Sequence, residues 1–149
     1  LRDQVLTTPP EVLGFASDAE LPDVYGILVD WSLGDVVASI LALRDGSASL
    51  YTTSTFGIIG GGGHAAVRAA AQGCVHVAAG CLAQSEAVTD FPLPAGDDVY
   101  FHLLTYADVR RCVADLDYLS DAGQPLHLLF DSAQEVLTQL RLTTEGGRR

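Results

Sequence analysis

The chain has 149 residues, 48% of them hydrophobic, with 19 acidic side chains against 8 basic ones and a formal net charge of −11. That length suits one domain with a core of its own, and the charge repels phosphate backbones, which argues against nucleic acid as a partner. All eight bases are Arg and Lys is absent, which excludes a Walker A phosphate loop, a pyridoxal Schiff base and a Ser-Lys dyad.

No run reaches the roughly 18–20 uncharged apolar residues of a membrane-spanning helix. The Gly- and Ala-rich stretch that comes nearest carries His64, Arg68 and His76, so no membrane partner is expected. The opening residues Leu1-Arg2-Asp3-Gln4 lack the basic start and apolar run of a secretory leader. Three cysteines, Cys74, Cys81 and Cys112, form no CxxC pair and read as reduced thiols. A cytoplasmic location is therefore expected. The bias toward Arg, Ala, Gly and Asp, with no Lys, Asn or Met, has the look of a GC-rich bacterial genome, a matter of codons rather than activity.

Residues 1–23 read as an N-terminal arm with Pro9, Pro10 and Pro22, and Pro10 suits the first position of a short helical turn. Residues 24–142 read as a single α+β domain, and residues 143–149 as a frayed tail. Val24–Trp31 and Val36–Leu43 are β-rich, joined by the short loop Ser32–Asp35. Asp45-Gly46 signals a tight turn, and Ser47–Ser54 follows as a third strand. Three strands with short connections predict an antiparallel meander.

Alternation places Tyr25, Ile27, Val29 and Trp31 on one side of the first strand, with Val24 and Leu28 on the other. The second strand sets Val37, Leu41 and Leu43 opposite Val36, Ile40 and Ala42. A sheet apolar on both faces must be covered on both, by helices or by a second subunit. This is the sequence argument for a homodimer. The third strand, rich in Ser and Thr, reads as a sheet edge.

After Phe56–Gly63, the segment His64–Gln84 predicts a helix, with Val67, Ala70, Ala71, Cys74, Ala78, Cys81 and Leu82 on one stripe. Gly73 and Gly80 weaken it by about 1 kcal/mol each relative to Ala, and Gly73 is a candidate break. Ser85–Asp98 reads as a loop and Val99–Leu104 as a central strand. Thr105 with Asp108 resembles a capping box, predicting an amphipathic helix through Val109, Cys112, Val113, Leu116 and Leu119. Pro125 opens a last helix with the stripe Leu126, Leu129, Phe130, Ala133, Val136, Leu137 and Leu140.

The expected fold is α+β: an antiparallel sheet of about four to five strands, packed by one long Ala/Gly-rich helix and two C-terminal helices. In element order it is similar to roadblock- or profilin-like small domains. That similarity implies a helix-on-sheet sandwich and assigns no residue a role.

The run Gly60, Gly61, Gly62 and Gly63 ahead of a helix is the loop best suited to a ligand, since backbone N–H groups and a helix N-terminus can approach an anion there. Gly61–Ala66 satisfies GxGxxA, but a run of four glycines does so almost automatically, and the βαβ context of a dinucleotide site is missing. A flexible or closely packed loop is the competing reading. His64, at the start of the helix, is a candidate base or hydrogen-bond donor against an ordinary polar residue near a helix start. Cys74, His76 and Cys81 do not converge as helix or as strand, so buried thiols are expected and no metal. Among Asp115, Asp117 and Asp121, Leu119 stands where a calcium loop needs oxygen; a solvated face is expected. Asp30 and His102, each inside an apolar strand, are candidate pocket residues that could form an inward dyad or be satisfied within the core.

No GxSxG elbow or HExxH helix occurs, so no catalytic residue is assigned and no cofactor is expected. The sequence points to a non-catalytic, homodimeric interaction or regulatory domain. The alternative is a small-molecule or anion-binding protein or enzyme, with its site at Gly60–His64 and Ser85–Asp98 as a lid. In that alternative, Gly62→Val or His64→Ala would abolish the response to ligand.

Overall fold

Alternating apolar strands organise the N-terminal half of the computed structural model, which describes residues 2–53, 57–59 and 64–146. A short helix α1 (Arg2–Thr7) precedes β1 (Val24–Ser32), β2 (Val37–Leu43), β3 (Ala48–Thr52) and β4 (Gly57–Ile59). Helix α2 (Ala65–Ala79) follows, then β5 (Glu86–Val88), β6 (Asp98–Thr105) and β7 (Val109–Asp115), a single turn α3 (Leu116–Leu119), and α4 (Pro125–Gly146). The strands form one seven-stranded sheet in the order β4-β3-β2-β1-β6-β7-β5, and all neighbours are antiparallel. The fold class is the expected one. The sheet is larger than the four to five strands expected, because two three-residue strands, β4 and β5, extend its edges and β7 forms where a helix was expected. The Ser/Thr-rich β3 is consequently interior, between β2 and β4.

The Asp45-Gly46 turn forms as its residues dictate. Gly46 takes a φ of 92°, and the Leu43 N–H donates to the Ser47 carbonyl at 2.9 Å. A side chain at Gly46 would be strained at that φ.

One face of the sheet carries the main core. Ile27 and Val29 of β1, Ala38 and Ile40 of β2, and Phe101 and Leu103 of β6 pack with α2 and α4. Helix α2 contributes small side chains, Val67, Ala71, Cys74 and Ala78, so it lies close to the sheet. It runs through Gly73 without a break and ends at Gly80. Helix α4 starts at Pro125, where a missing N–H costs nothing, and buries Leu126, Leu129, Phe130, Ala133, Val136 and Leu140. It continues to Gly146, into the segment read as a tail.

The first of the two expected C-terminal helices is instead mostly β7, and only Leu116–Leu119 is helical. The Thr105–Asp108 signature that resembles a capping box closes a hairpin. Thr105 N–H donates to the Asp108 carbonyl (3.0 Å), while the Thr105 hydroxyl accepts from Asp108 N–H (2.9 Å) and Ala107 N–H (3.2 Å). A Thr two or three residues ahead of free N–H groups serves a turn as well as a helix start. Cys112 and Ala114 then alternate inward and Val113 outward.

A bulge between Val24 and Gly26 shifts the faces expected for β1. Val24 joins Ile27 and Val29 in the main core, while Tyr25 joins Leu28 on the second face. That second face is covered by the arm. Leu6 of α1 and Phe15 pack with Tyr25, Leu28, Leu41 and Leu104, and Phe15 stacks on Tyr25 with ring centroids 5.4 Å apart. The Arg44 guanidinium ties the arm down through the Ala16 carbonyl (3.2 Å), the Tyr106 hydroxyl (2.9 Å) and the Asp18 carboxylate. The arm thus covers the part of the second face around Tyr25, Leu28, Leu41 and Leu104.

Candidate functional site

Asp30, Ser39, His102, Tyr100 and Arg111 come from four consecutive strands of the sheet and meet on its second face. Register brings them together: Asp30 lies opposite both Ser39 and Tyr100, and His102 lies opposite Arg111. Asp30 and His102 are completely buried and Ser39 nearly so. A carboxylate withdrawn from water is tolerated only when polar partners replace it.

The partners are specific. Ser39 Oγ donates to Asp30 Oδ1 at 2.6 Å, and His102 Nδ1 stands 3.7 Å from Asp30 Oδ2. Arg111 Nε donates to His102 Nε2 at 3.2 Å. A guanidinium cannot accept, so this bond assigns the neutral tautomer, with its proton on Nδ1 facing Asp30. Arg111 also donates through Nη2 to the Asp90 carbonyl and lies over the Tyr100 ring, 5.2 Å from its centroid. The rings of Phe91 and His102 meet edge to face with centroids 5.9 Å apart. The segment around Asp90 and Phe91 therefore sits over the imidazole.

This geometry differs from a hydrolytic triad. The serine hydroxyl is bound to the carboxylate, and the imidazole nitrogen that would take a proton from a nucleophile is occupied by Arg111. The cluster joins β2, β1, β6, β7 and the loop between β5 and β6 by polar contacts inside the fold.

The other residues singled out in the sequence do not join it. Gly60, Gly61, Gly62 and Gly63 lie outside the described residues, and so does the ligand loop expected there. His64 is exposed and stands at the N-cap of α2 without a side-chain capping bond. Cys74 and Cys81 are buried, whereas His76 faces outward and pairs with Glu20 at 3.1 Å. Burial pushes the thiols of Cys74 and Cys112 up to about 12 and that of Cys81 in the same direction. Asp115 caps α3 by accepting from Tyr118 N–H at 2.8 Å, and Asp121 accepts from Gly123 N–H at 2.9 Å; both serve local turns.

Ser39, Tyr100 and Arg111 are not among the sequence candidates. A signal for Ser39 exists, since it is a lone hydroxyl in the apolar strand between Val37 and Leu43. Arg111 is hidden because its segment reads as helix; once the hairpin is recognised, it falls opposite His102.

Outside the cluster, the β6–β7 part of the second face carries Val113, which is 56% exposed and directly opposite Tyr100. Strand β5 pairs only with Val109–Arg111, so among the described residues Cys112–Asp115 have no strand on their outer side. No helix among the described residues is long and apolar enough to cross a membrane. No family model matches the chain, and no curated protein or solved structure matches it at a significant level.

Proposed function

We propose that this chain is a non-catalytic interaction or regulatory domain that works as a homodimer, docking through the strip formed by Tyr100, Arg111 and Val113. The observation that carries this reading is the exposed Val113 beside a tyrosine and an arginine. Tyr and Arg are the residues most enriched where binding energy concentrates, around an apolar centre that excludes water. Among the described residues no strand lies on the outer side of Cys112–Asp115, an edge that suits self-pairing about a two-fold axis. The polar cluster beneath supports the same reading, because its hydroxyl and imidazole are engaged within the fold.

Two copies at −11 each repel at long range, so association strengthens as salt screens them. Light scattering tests the proposal. The native chain is expected at dimer mass, more completely at high salt, and Val113→Asp at monomer mass with its far-UV circular dichroism unchanged. A native chain that stays at monomer mass at all concentrations and salts would end this reading.

A further inference from the structure

A cleft of about 250 Å³ opens where the arm meets the turn between β6 and β7. Residues 6–11 of the arm and residues 105–109 of the turn line it, together with Tyr25 of β1. The volume lies below the roughly 300–1,000 Å³ of pockets for drug-sized molecules, so an occupant is small.

The lining sets hydrocarbon from Leu6, Pro9, Pro10 and Val109 beside the carboxylates of Glu11 and Asp108, and it holds no base. Asp108 is already engaged, by the Thr105 hydroxyl (2.7 Å) and by Arg110 (3.4 Å). Glu11 has no ion-pair partner among the described residues. The neighbouring cleft of about 340 Å³, which shares residues 105–108, differs. There the Arg110 guanidinium already donates to Ser85 Oγ (2.8 Å) and the Ser85 carbonyl (3.0 Å), and its polar groups are committed.

In the arm cleft a second polar group is uncommitted. Tyr25 is only 2% exposed, yet its hydroxyl has no hydrogen-bond partner among the described residues. The Trp31 indole nitrogen is also without an acceptor but is sealed from water; the Tyr25 hydroxyl is not sealed, and its side chain opens on this cleft. Buried polar groups nearly always have a partner, and an exception calls for an explanation. Burial first, then Tyr106 and Glu11, push the phenol up to about 12. At neutral pH it is therefore an intact hydroxyl whose oxygen can accept, with the Glu11 carboxylate near enough to act on it.

We propose that this cleft binds a small aliphatic amine as its ammonium ion, which donates to the Tyr25 hydroxyl oxygen and the Glu11 carboxylate while its hydrocarbon chain lies against Leu6, Pro10 and Val109. Charge sets the class. An anion would meet Glu11 on a chain already at −11, and a neutral alcohol would leave that carboxylate unanswered. An ammonium carries three donors and no acceptor, which matches a hydroxyl oxygen and a carboxylate together. A metal ion does not fit, since no group of three His, Cys, Asp or Glu among the described residues could hold one. Because the ligand touches both the arm and the β6–β7 turn, it fastens the arm over the second face.

The intact ¹⁵N-labelled chain is titrated at pH 7 with n-butylamine, with 1-butanol (a chain of the same length without the charge) and with butyrate. The backbone amide resonances of Thr8 and Ala107, on the two sides of the cleft, give the readout. Butylamine is expected to shift both saturably. Butanol is expected to bind about tenfold more weakly, the worth of a hydrogen bond made by a charged group, and butyrate more weakly still. Tyr25→Phe keeps the ring and removes the unpartnered hydroxyl, and is expected to weaken butylamine binding about fivefold. Glu11→Gln, at an exposed side chain that the fold does not need, tests the charge on its own and weakens binding by up to about fivefold. Resonances unmoved by butylamine, butanol or butyrate binding as tightly as the amine, or either variant titrating like the native chain would each overturn the proposal.

Discussion

At the scale of single residues, buried polar groups are held by partners whose removal is costly. Ser39→Ala leaves Asp30 Oδ1 without its 2.6 Å donor in a site closed to water. We expect a loss of about 1–3 kcal/mol, read as a lower urea midpoint with an unchanged slope. A midpoint equal to the native one would show that the hydroxyl contributes nothing. The thiols give a pH dependence of definite sign. Cys74 and Cys112 stand at about 12 in the fold against an ordinary 9.0, and Tyr25 at about 12 against 10.0, all through burial first. Between pH 9 and 12 the unfolded chain has therefore released protons that the folded chain keeps. Stability is full below pH 9 and falls as pH rises toward 12, which urea midpoints measured from pH 8 to 11 will show. Asp18 has the opposite sign. The Leu21 N–H first, then Arg44, hold its carboxyl below the ordinary 3.8, so its contribution is present above that value and is lost as pH falls through the folded one.

At the scale of elements, turns and bulges decide what periodicity leaves open. The meander, the last helix and the central place of β6 are legible because each rests on a sustained apolar pattern or a turn with one solution, such as Asp45-Gly46. β7 is not. Val109, Cys112 and Val113 fit a helical stripe as well as a strand, and Thr105 with Asp108 fits a cap as well as a hairpin. The long-range pairing with β6 decides between them, and no local signal carries that information. The same holds at β1, where a bulge of one residue exchanges the faces of Val24 and Tyr25. Beside that bulge Gly26 is needed for space: a Cβ there would stand 2.6 Å from Leu43 Cδ2 and 3.1 Å from the Ala42 carbonyl oxygen. Gly26→Ala is expected to cost about 1–3 kcal/mol as an overpacked site, seen as a lower thermal midpoint. The Asp30–His102 approach is half legible, since both residues stand out in apolar strands. Their register, and the arrival of Arg111, depend on pairings the sequence does not state.

At the scale of the molecule, the chain solves its own two-sided sheet. Two apolar faces called for a cover on each, and the arm supplies the second over Tyr25, Leu28, Leu41 and Leu104. Leu6→Asp should therefore expose apolar surface, raising binding of a hydrophobic dye and lowering the thermal midpoint; no change in either would mean that the arm is not the cover. What the arm leaves is narrower than a whole face, the strip at Tyr100 and Val113, and the proposed dimer depends on that strip alone. The native thiols are buried with raised pKa values, so a cysteine placed at Val113 would be the one that reacts. The labelling rate of Val113→Cys with a bulky maleimide, followed from low to high chain concentration, tests the strip directly. A dimer through this strip predicts a rate that falls as concentration rises and the two copies cover each other; a rate independent of concentration would contradict it.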